Sequence, residues 1–430
     1  MHPGHLRFEN VPLARRKDGK ASELYAAWLN TAWEGFNHKP ATGEQLEQML
    51  QAHEIDARVL TGVYDDARPA ELVDPLVPVA TYSSFAKTLN VGAGVLPAHL
   101  ITLVTVRPTH RRRGILRELM GTDLARAKAA GFPLAALTAT EATIYGRFGF
   151  GRATEQQRMN LDVRGDVRFH AAPEGSVTQL EPAKLGVIAG ELFERFHGTQ
   201  RGSVGRQESY LRHATGRWGS EGPEPDSKTR AAVYLDASGT VQGYLTYAFA
   251  GWEAKPIRLN VLDLVAATPV ARRELFRFLA AHDLIEQVGY PFAAANDPLG
   301  WALEDTARLT YTEREHSLWV RVLDVPAAFA AREYRGSGRF ILRVEDSLGL
   351  ASGSYAFSVV DGRAAIARLE GDPLPDASCD VQTLGPLLLG SASVADLAEA
   401  GVLRLADPSN ANTLGAMLDL PGVPHAINGF

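Results

Sequence analysis

Between Leu100 and Leu124 the chain reads strand, basic glycine turn, helix, and this succession limits what it can fold into more than any other segment. Leu100 to Val106 alternates small and branched apolar residues, the pattern of a central strand. Arg107-Pro-Thr-His-Arg-Arg-Arg-Gly114 follows, and Ile115, Leu116, Leu119, Met120 and Leu124 then recur at helical spacing until Gly131-Phe-Pro133 ends the pattern. The arginines therefore precede a helix N-terminus, where unpaired backbone N–H groups and the positive end of the helix dipole attract an anion. Glycine at 114 lets phosphate approach the backbone, so a pyrophosphate fits this turn. Neither G-x-x-x-x-G-K-[ST] nor G-x-G-x-x-G stands there, which makes nucleoside triphosphates and dinucleotides poor candidates. An arginine run alone is ordinarily a solvated face, and it is the flanking strand and helix that single this one out.

Composition narrows the remaining classes. A chain of 430 residues holds about three domains, and 45% hydrophobic with 22% charged residues is an ordinary globular balance. Forty-four basic against 50 acidic residues leave a net charge of -6, so no global field draws the chain to nucleic acid or anionic membrane, and any phosphate site is local. A nucleic-acid module built on the arginine turn is accordingly the least favoured reading. Cys379 is the single cysteine, which excludes an intramolecular disulfide and a cysteine-rich zinc site. His5, His53, His110 and His425 match no metal-ligand spacing, so no metal is expected. The first residues lack a charged start and an apolar run, and no stretch reaches about 18 uncharged apolar residues. A cytoplasmic protein without a membrane span is the expectation, with leaderless export left open.

The pattern repeats in weakened form. Residues 1–160 hold two helices between Ser22 and Ala52, strands at Arg58–Tyr64, Val79–Phe85 and Leu134–Thr138, and the turn. Residues 161–315 hold a helix at Glu181–His197 and a hairpin about Asp236-Ala-Ser-Gly239. There Leu259–Ala266 leads through Thr268-Pro269 into the amphipathic Arg272–Leu284 segment, again strand, turn and helix but without the arginines and glycine. A second copy that has lost its ligand turn would support rather than catalyse. Residues 316–430 open with the Leu318–Leu323 strand and continue as an α+β module, with a hairpin at Asp361-Gly362 and apolar helices at Val381–Leu389 and Val394–Ala400. The ending Pro424-His-Ala-Ile-Asn-Gly-Phe430 is apolar enough to insert elsewhere, although a terminus usually frays.

The run V-x-V-x-P-x-x-R-R-x-G between strand and helix resembles the coenzyme A pyrophosphate loop of the GCN5-related N-acetyltransferases. That resemblance implies that the strand splays from its neighbour and pairs the pantetheine arm through the backbone of Val104, Thr105 and Val106. It also implies that Arg112, Arg113, Gly114, Ile115, Leu116 and Arg117 hold the diphosphate, by backbone N–H groups and charge-assisted hydrogen bonds. Ile144-Tyr145-Gly-Arg-Phe-Gly-Phe150 is similar to the pattern in which a tyrosine protonates the departing thiolate, a role suited to a group titrating near ~10. Tyr145 is thus the expected general acid.

A closer resemblance, covering nearly the whole chain, is to the enhanced intracellular survival (Eis) family. It rests on Pro108–Gly114, Ile144–Gly149, the weakened second unit, Leu318–Pro326, Leu384-Gly-Pro-Leu-Leu-Leu-Gly390 and Leu397-Ala-Glu-Ala-Gly401. It implies an α+β chain of two tandem acetyltransferase-type domains, the second degenerate, followed by a sterol carrier protein-like domain, assembled as a homohexamer. The implied activity is acetyl transfer from acetyl-CoA, a co-substrate, to primary amines of aminoglycosides or lysine side chains, with Thr140 and Glu141 joining the cofactor site. The same family uses its terminal α-carboxylate as general base, here that of Phe430. A free α-carboxyl titrates near ~3.5, so the role needs desolvation or relay through water. Direct attack by the amine needs no covalent intermediate, and Cys379, beside Ser378 and Asp380, has no evident base. Trp28, Trp33, Glu34 and Phe36 are candidates for an acceptor mouth, the two tryptophans fitting a core equally well. The rival reading is a lipid-binding carrier whose acetyltransferase units are relics, against which Arg112, Gly114 and Tyr145 stand.

Overall fold

Tyr25, Trp28, Leu29 and Ala32 share one face of α1 (Glu23–Gly35) and are buried, and the Ser22 hydroxyl caps its first turn by accepting from the Tyr25 N–H. α2 (Gly43–Ile55) begins on a capping box between Thr42 and Gln45. These helices belong to a computed structural model that describes residues 5–69, 71–139, 142–219 and 222–430.

Strands β1 (Leu6–Val11), β2 (Val59–Asp65), β3 (Ala80–Asn90), β4 (Val95–Val106), β5 (Leu134–Thr138) and β6 (Gly151–Arg152) come first, with α3 (Ile115–Ala129) between β4 and β5 and α4 (Ala142–Gly146) after β5. Next come β7 (Glu155–Asp162), β8 (Ser176–Leu180), β9 (Thr229–Leu235), β10 (Val241–Phe249), β11 (Arg258–Ala266), β12 (Gln287–Ala294) and β13 (Leu309–His316). Helices α5 (Gly186–Thr199), α6 (Glu208–Ala214) and α7 (Pro269–Ala280) lie among them. β14 (Leu318–Val322) precedes β15 (Gly338–Glu345), β16 (Gly353–Val360), β17 (Arg363–Leu369), β18 (Ala377–Asp380) and β19 (Leu403–Leu405). The sheets run β1-β2-β3-β4-β5-β14-β6, β13-β7-β12-β11-β10-β9-β8 and β17-β16-β15-β18-β19.

β14, expected to open the third unit, lies instead inside the first sheet, antiparallel to both β5 and β6. Burial explains this: Trp319 packs into the core on one face of that sheet, and Leu318, Val320 and Val322 into the core on the other. An edge strand offers no such cover on both sides. The second of those cores continues without a break from Phe85, Leu100 and Leu134 into Phe340, Leu342 and Leu387 of the third sheet and its helix Leu384–Leu389. The third unit is therefore welded to the first.

The first two sheets share a design. β4 and β5 run parallel and pair only from Ala98 opposite Leu134 to Ile101 opposite Leu137. β4 then bulges, with Leu103 at a positive φ of 51° and a register shift against β3, and its last residues leave β5. In the second sheet β11 and β12 pair only from Arg258 opposite Gln287 to Asn260 opposite Gly289, and β11 bulges against β10. Each sheet thus opens a wedge between parallel strands, on the side toward which the strand before the crossover helix runs.

Candidate active site

In the first wedge, Thr102, Thr105 and Val106 remain paired with β3 across the bulge at Leu103 and Val104, and residues 102 to 106 are half-buried where β5 has gone. Thr105 is fixed by a 2.7 Å hydrogen bond between its hydroxyl and that of Thr81. α1 ends against it: a Cβ on Gly35 would stand 2.5 Å from Thr105 Cγ2, so only glycine allows this approach. Val104, Thr105 and Val106 therefore offer backbone to whatever fills the wedge.

The turn after β4 leads into a helix start that no side chain caps. Arg112 and Gly114 take positive φ values of 62° and 82°, and Gly114 stands at the N-cap of α3 with no side-chain cap, so the N–H groups of the first turn face outward. A Cβ at Gly114 would meet nothing within 4 Å. Arg112, Arg113 and Arg117 are exposed around it, Leu116 is half-buried, and Ile115 is anchored in the core. His110 pins the turn from behind: its Nε2 lies 2.9 Å from Asp65 Oδ2 at the end of β2, and its Nδ1 2.8 Å from the Thr109 hydroxyl. Burial pushes the Asp65 carboxyl up, but the His110 and Ala67 hydrogen bonds outweigh it and hold the group below the usual range. Further along α3, Asp123 accepts from Tyr82 at 2.7 Å and Ser84 at 3.1 Å and lies 2.6 Å from His99 Nε2, locking the helix to β3 and β4.

Tyr145 sits half-buried on α4, seven residues beyond Thr138, and its ring meets Phe150 edge-on at 6.5 Å between centroids. The turn after it is held by Arg321 of β14, fully buried, which donates to the Phe148 carbonyl and pairs with Asp346 of the third unit at 2.7 Å. Thr140 and Glu141 lie outside the described residues.

The C-terminus does not fray. The Thr138 hydroxyl, at the end of β5, donates to a Phe430 carboxylate oxygen at 2.9 Å, and the Phe430 ring packs edge-on against Phe85 at 6.1 Å. Residues 424 to 428 are buried and 429 and 430 half-buried. Phe430 therefore stands at the open end of β5, and Tyr145 lies on the helix that follows that strand. Thr138, Arg321 and Asp346 escaped the sequence reading because each acts through a partner far along the chain.

Other candidates fall elsewhere. Trp28 is core, its indole N–H donating to the Thr61 carbonyl at 2.8 Å, whereas Phe36 is exposed and Glu34 pairs with Arg107 at 2.6 Å. Cys379 is buried in the third sheet, where burial pushes its thiol up to about 12, which disfavours a nucleophilic thiolate. No three His, Cys, Asp or Glu side chains gather as a metal site among the described residues, and no helix there is long and apolar enough to cross a membrane.

Comparison with known proteins agrees with this architecture. Residues 21–153 and 202–322 each match a family described as an acetyltransferase (GNAT) domain, and residues 325–425 a sterol carrier protein domain. An uncharacterized N-acetyltransferase of Streptomyces avermitilis is 36% identical over 94% of this chain and 96% of its own. N-acetyltransferase Eis of Mycobacterium tuberculosis is 33% identical over 80% of this chain and 83% of its own. The structure of Eis1 from Mycobacterium abscessus superposes with a TM-score of 0.80 over 99% of this chain and 100% of that one, at 24% identity, a likeness of fold.

Proposed function

The chain belongs to the Eis family of N-acetyltransferases, and from that premise we propose how its own residues carry acetyl from acetyl-CoA to an amine. The first unit is the working one. The N–H groups of Gly114 to Arg117 and the guanidinium groups of Arg112 and Arg113 take the diphosphate, while the backbone of Val104 to Val106 pairs with the pantetheine arm in the wedge. Thr140 and Glu141, next in sequence after β5, complete the cofactor site on the family pattern. Acetyl-CoA supplies the activated acyl group.

An amine acceptor is an ammonium ion at neutral pH and must lose a proton before it attacks. The Phe430 carboxylate takes that proton, directly or through a water, and the neutral nitrogen attacks the thioester carbon. The Tyr145 hydroxyl gives its proton to the departing sulfur. The observation that supports this reading is the hydrogen bond of Phe430 to Thr138, which seats a carboxylate at the end of β5, the strand before the helix that bears Tyr145.

The acceptor class we propose is a primary amine of an aminoglycoside, a polyamine or a lysine side chain, and the assembly a homohexamer. Coenzyme A release measured across those three classes tests the first, and light scattering the second. Release with none of them, by protein that binds acetyl-CoA, would remove these acceptors. Absence of acetyl-CoA binding would remove the reading itself.

A further inference from the structure

The second wedge is already filled, and its occupant is the end of the chain. Beyond Asn260 and Gly289, where β11 and β12 part, His425 reaches one strand and Ile427 the other. On the β12 side His425 Nε2 lies 2.8 Å from the Phe292 carbonyl, an acceptor only, so that nitrogen carries the hydrogen. On the β11 side Ile427 enters the cluster of Val265, Tyr244, Phe193 and Leu185. Backbone groups are tied on both flanks: the His425 N–H donates to the Arg201 carbonyl at 2.8 Å, the Tyr210 hydroxyl to the Ile427 carbonyl at 2.7 Å, and Gln207 Nε2 to the Gly429 carbonyl at 3.3 Å.

The receptor for this segment is built in depth. Tyr210 stands before α6 ends, and its ring lies under the Arg206 guanidinium at 5.1 Å, with Phe193 stacked against the same cation at 4.3 Å. Arg206 is itself buried, paired with Asp263 of β11 at 2.6 Å and hydrogen-bonded to Tyr244. Burial holds the Tyr210 hydroxyl well above the ordinary tyrosine range, so it remains a donor. A diphosphate has no seat here either. The Thr268 hydroxyl caps α7 by accepting from the Ala271 N–H, and Pro269 removes another donor from the first turn.

We infer that the second unit has exchanged its carrier groove for a binding site that takes the chain's own C-terminal segment, Pro424 to Phe430, with Tyr210 and the Arg206–Asp263 pair as positioning residues that set where the terminal carboxylate stands. The binding part of this inference is independent of the mechanism proposed above; its catalytic consequence rests on that mechanism.

Two experiments test it. In the full chain, Tyr210→Phe removes one hydroxyl; hydrogen exchange at the amides of residues 425–430 is expected to quicken about tenfold, with kcat falling and KM for acetyl-CoA unchanged. Unaltered exchange in that variant overturns the inference. In a chain ending at Val423, the synthetic peptide Pro-His-Ala-Ile-Asn-Gly-Phe is expected to bind with a stoichiometry of one by calorimetry and to restore coenzyme A release. Its C-terminal amide is expected to bind without restoring it. Folded protein that ignores the peptide, or that takes up a second equivalent of acetyl-CoA once the tail is gone, overturns the inference. Peptide that binds yet rescues nothing supports the receptor and refutes the carboxylate as base. Should the shortened chain fail to fold, the Tyr210→Phe exchange measurement decides alone.

Discussion

The two acetyltransferase units of this chain differ less in their sheets than in how their crossover helices begin. Both open a wedge by a bulge in the strand before that helix. In the first, a bare glycine precedes α3 and the helix start lies among exposed arginines; in the second, Thr268 and Pro269 satisfy or delete the same donors within the chain. A helix end binds an anion only if the protein has not already capped it. The difference teaches that two sheets of one design can part in anion chemistry through a single turn.

The sharpest way to break the contrast is to move the charge that the second unit delivers to the first. Appending a few residues after Phe430 is expected to lower kcat by about a hundredfold or more, the worth of a general base, and to leave KM for acetyl-CoA nearly unchanged. Steady-state kinetics check this. Arg112→Glu with Arg113→Glu attacks the first turn itself, and calorimetry should show acetyl-CoA affinity falling about a hundredfold as two charge-assisted contacts are lost. Tyr145→Phe is expected to reduce turnover by about tenfold while sparing that affinity, and an unchanged rate would remove the tyrosine from the chemistry.

Acidity should act on the second unit's hold before it acts on the first unit's carboxylates. Burial pushes His425 down to about 4, with Arg272 adding to the effect and Asp297 opposing it. The unfolded chain therefore binds the proton more readily, and stability falls as pH is lowered from about 6.5 toward 4, by at most ~1.4 kcal/mol per pH unit for this group. His425→Gln should lessen the dependence of Tm on pH in that window, the remainder belonging to His53, His197 and His213, which burial also pushes down. The smallest effect expected is that of Thr268→Ala, which removes the cap of α7: a loss of about 1 kcal/mol in denaturant melts, with the acetyl-CoA stoichiometry still one per chain.

Local chemistry was legible in the sequence, and long-range closure was not. The turn from Arg107 to Gly114 could be read because strand, glycine and amphipathic helix follow within a few residues. The weakened echo around Thr268 was legible for the same reason. Thr138 and Phe430 meet across 292 positions, and nothing in an ordinary threonine at a strand end announces its partner. β7 was not legible because Glu155 to Arg158 are polar, although the strand is paired on both sides, with β13 and β12. The placement of β14 beside β5 follows from cores on both of its faces, one of them built largely from residues far along the chain, and the Arg321–Asp346 pair likewise joins partners in different sheets' territory. The insertion of the tail was suggested by its apolar residues, but its route past Arg201, Tyr210 and Gln207 was not.

Residues 424 to 430 are held at one end by Thr138 and Phe85 of the first sheet and at the other by Phe292 of the second and by Tyr210. The segment is thus a tie rod between the two acetyltransferase units. A force that parts them must first draw it out, so its mechanical resistance and the rigidity of the pair are one property.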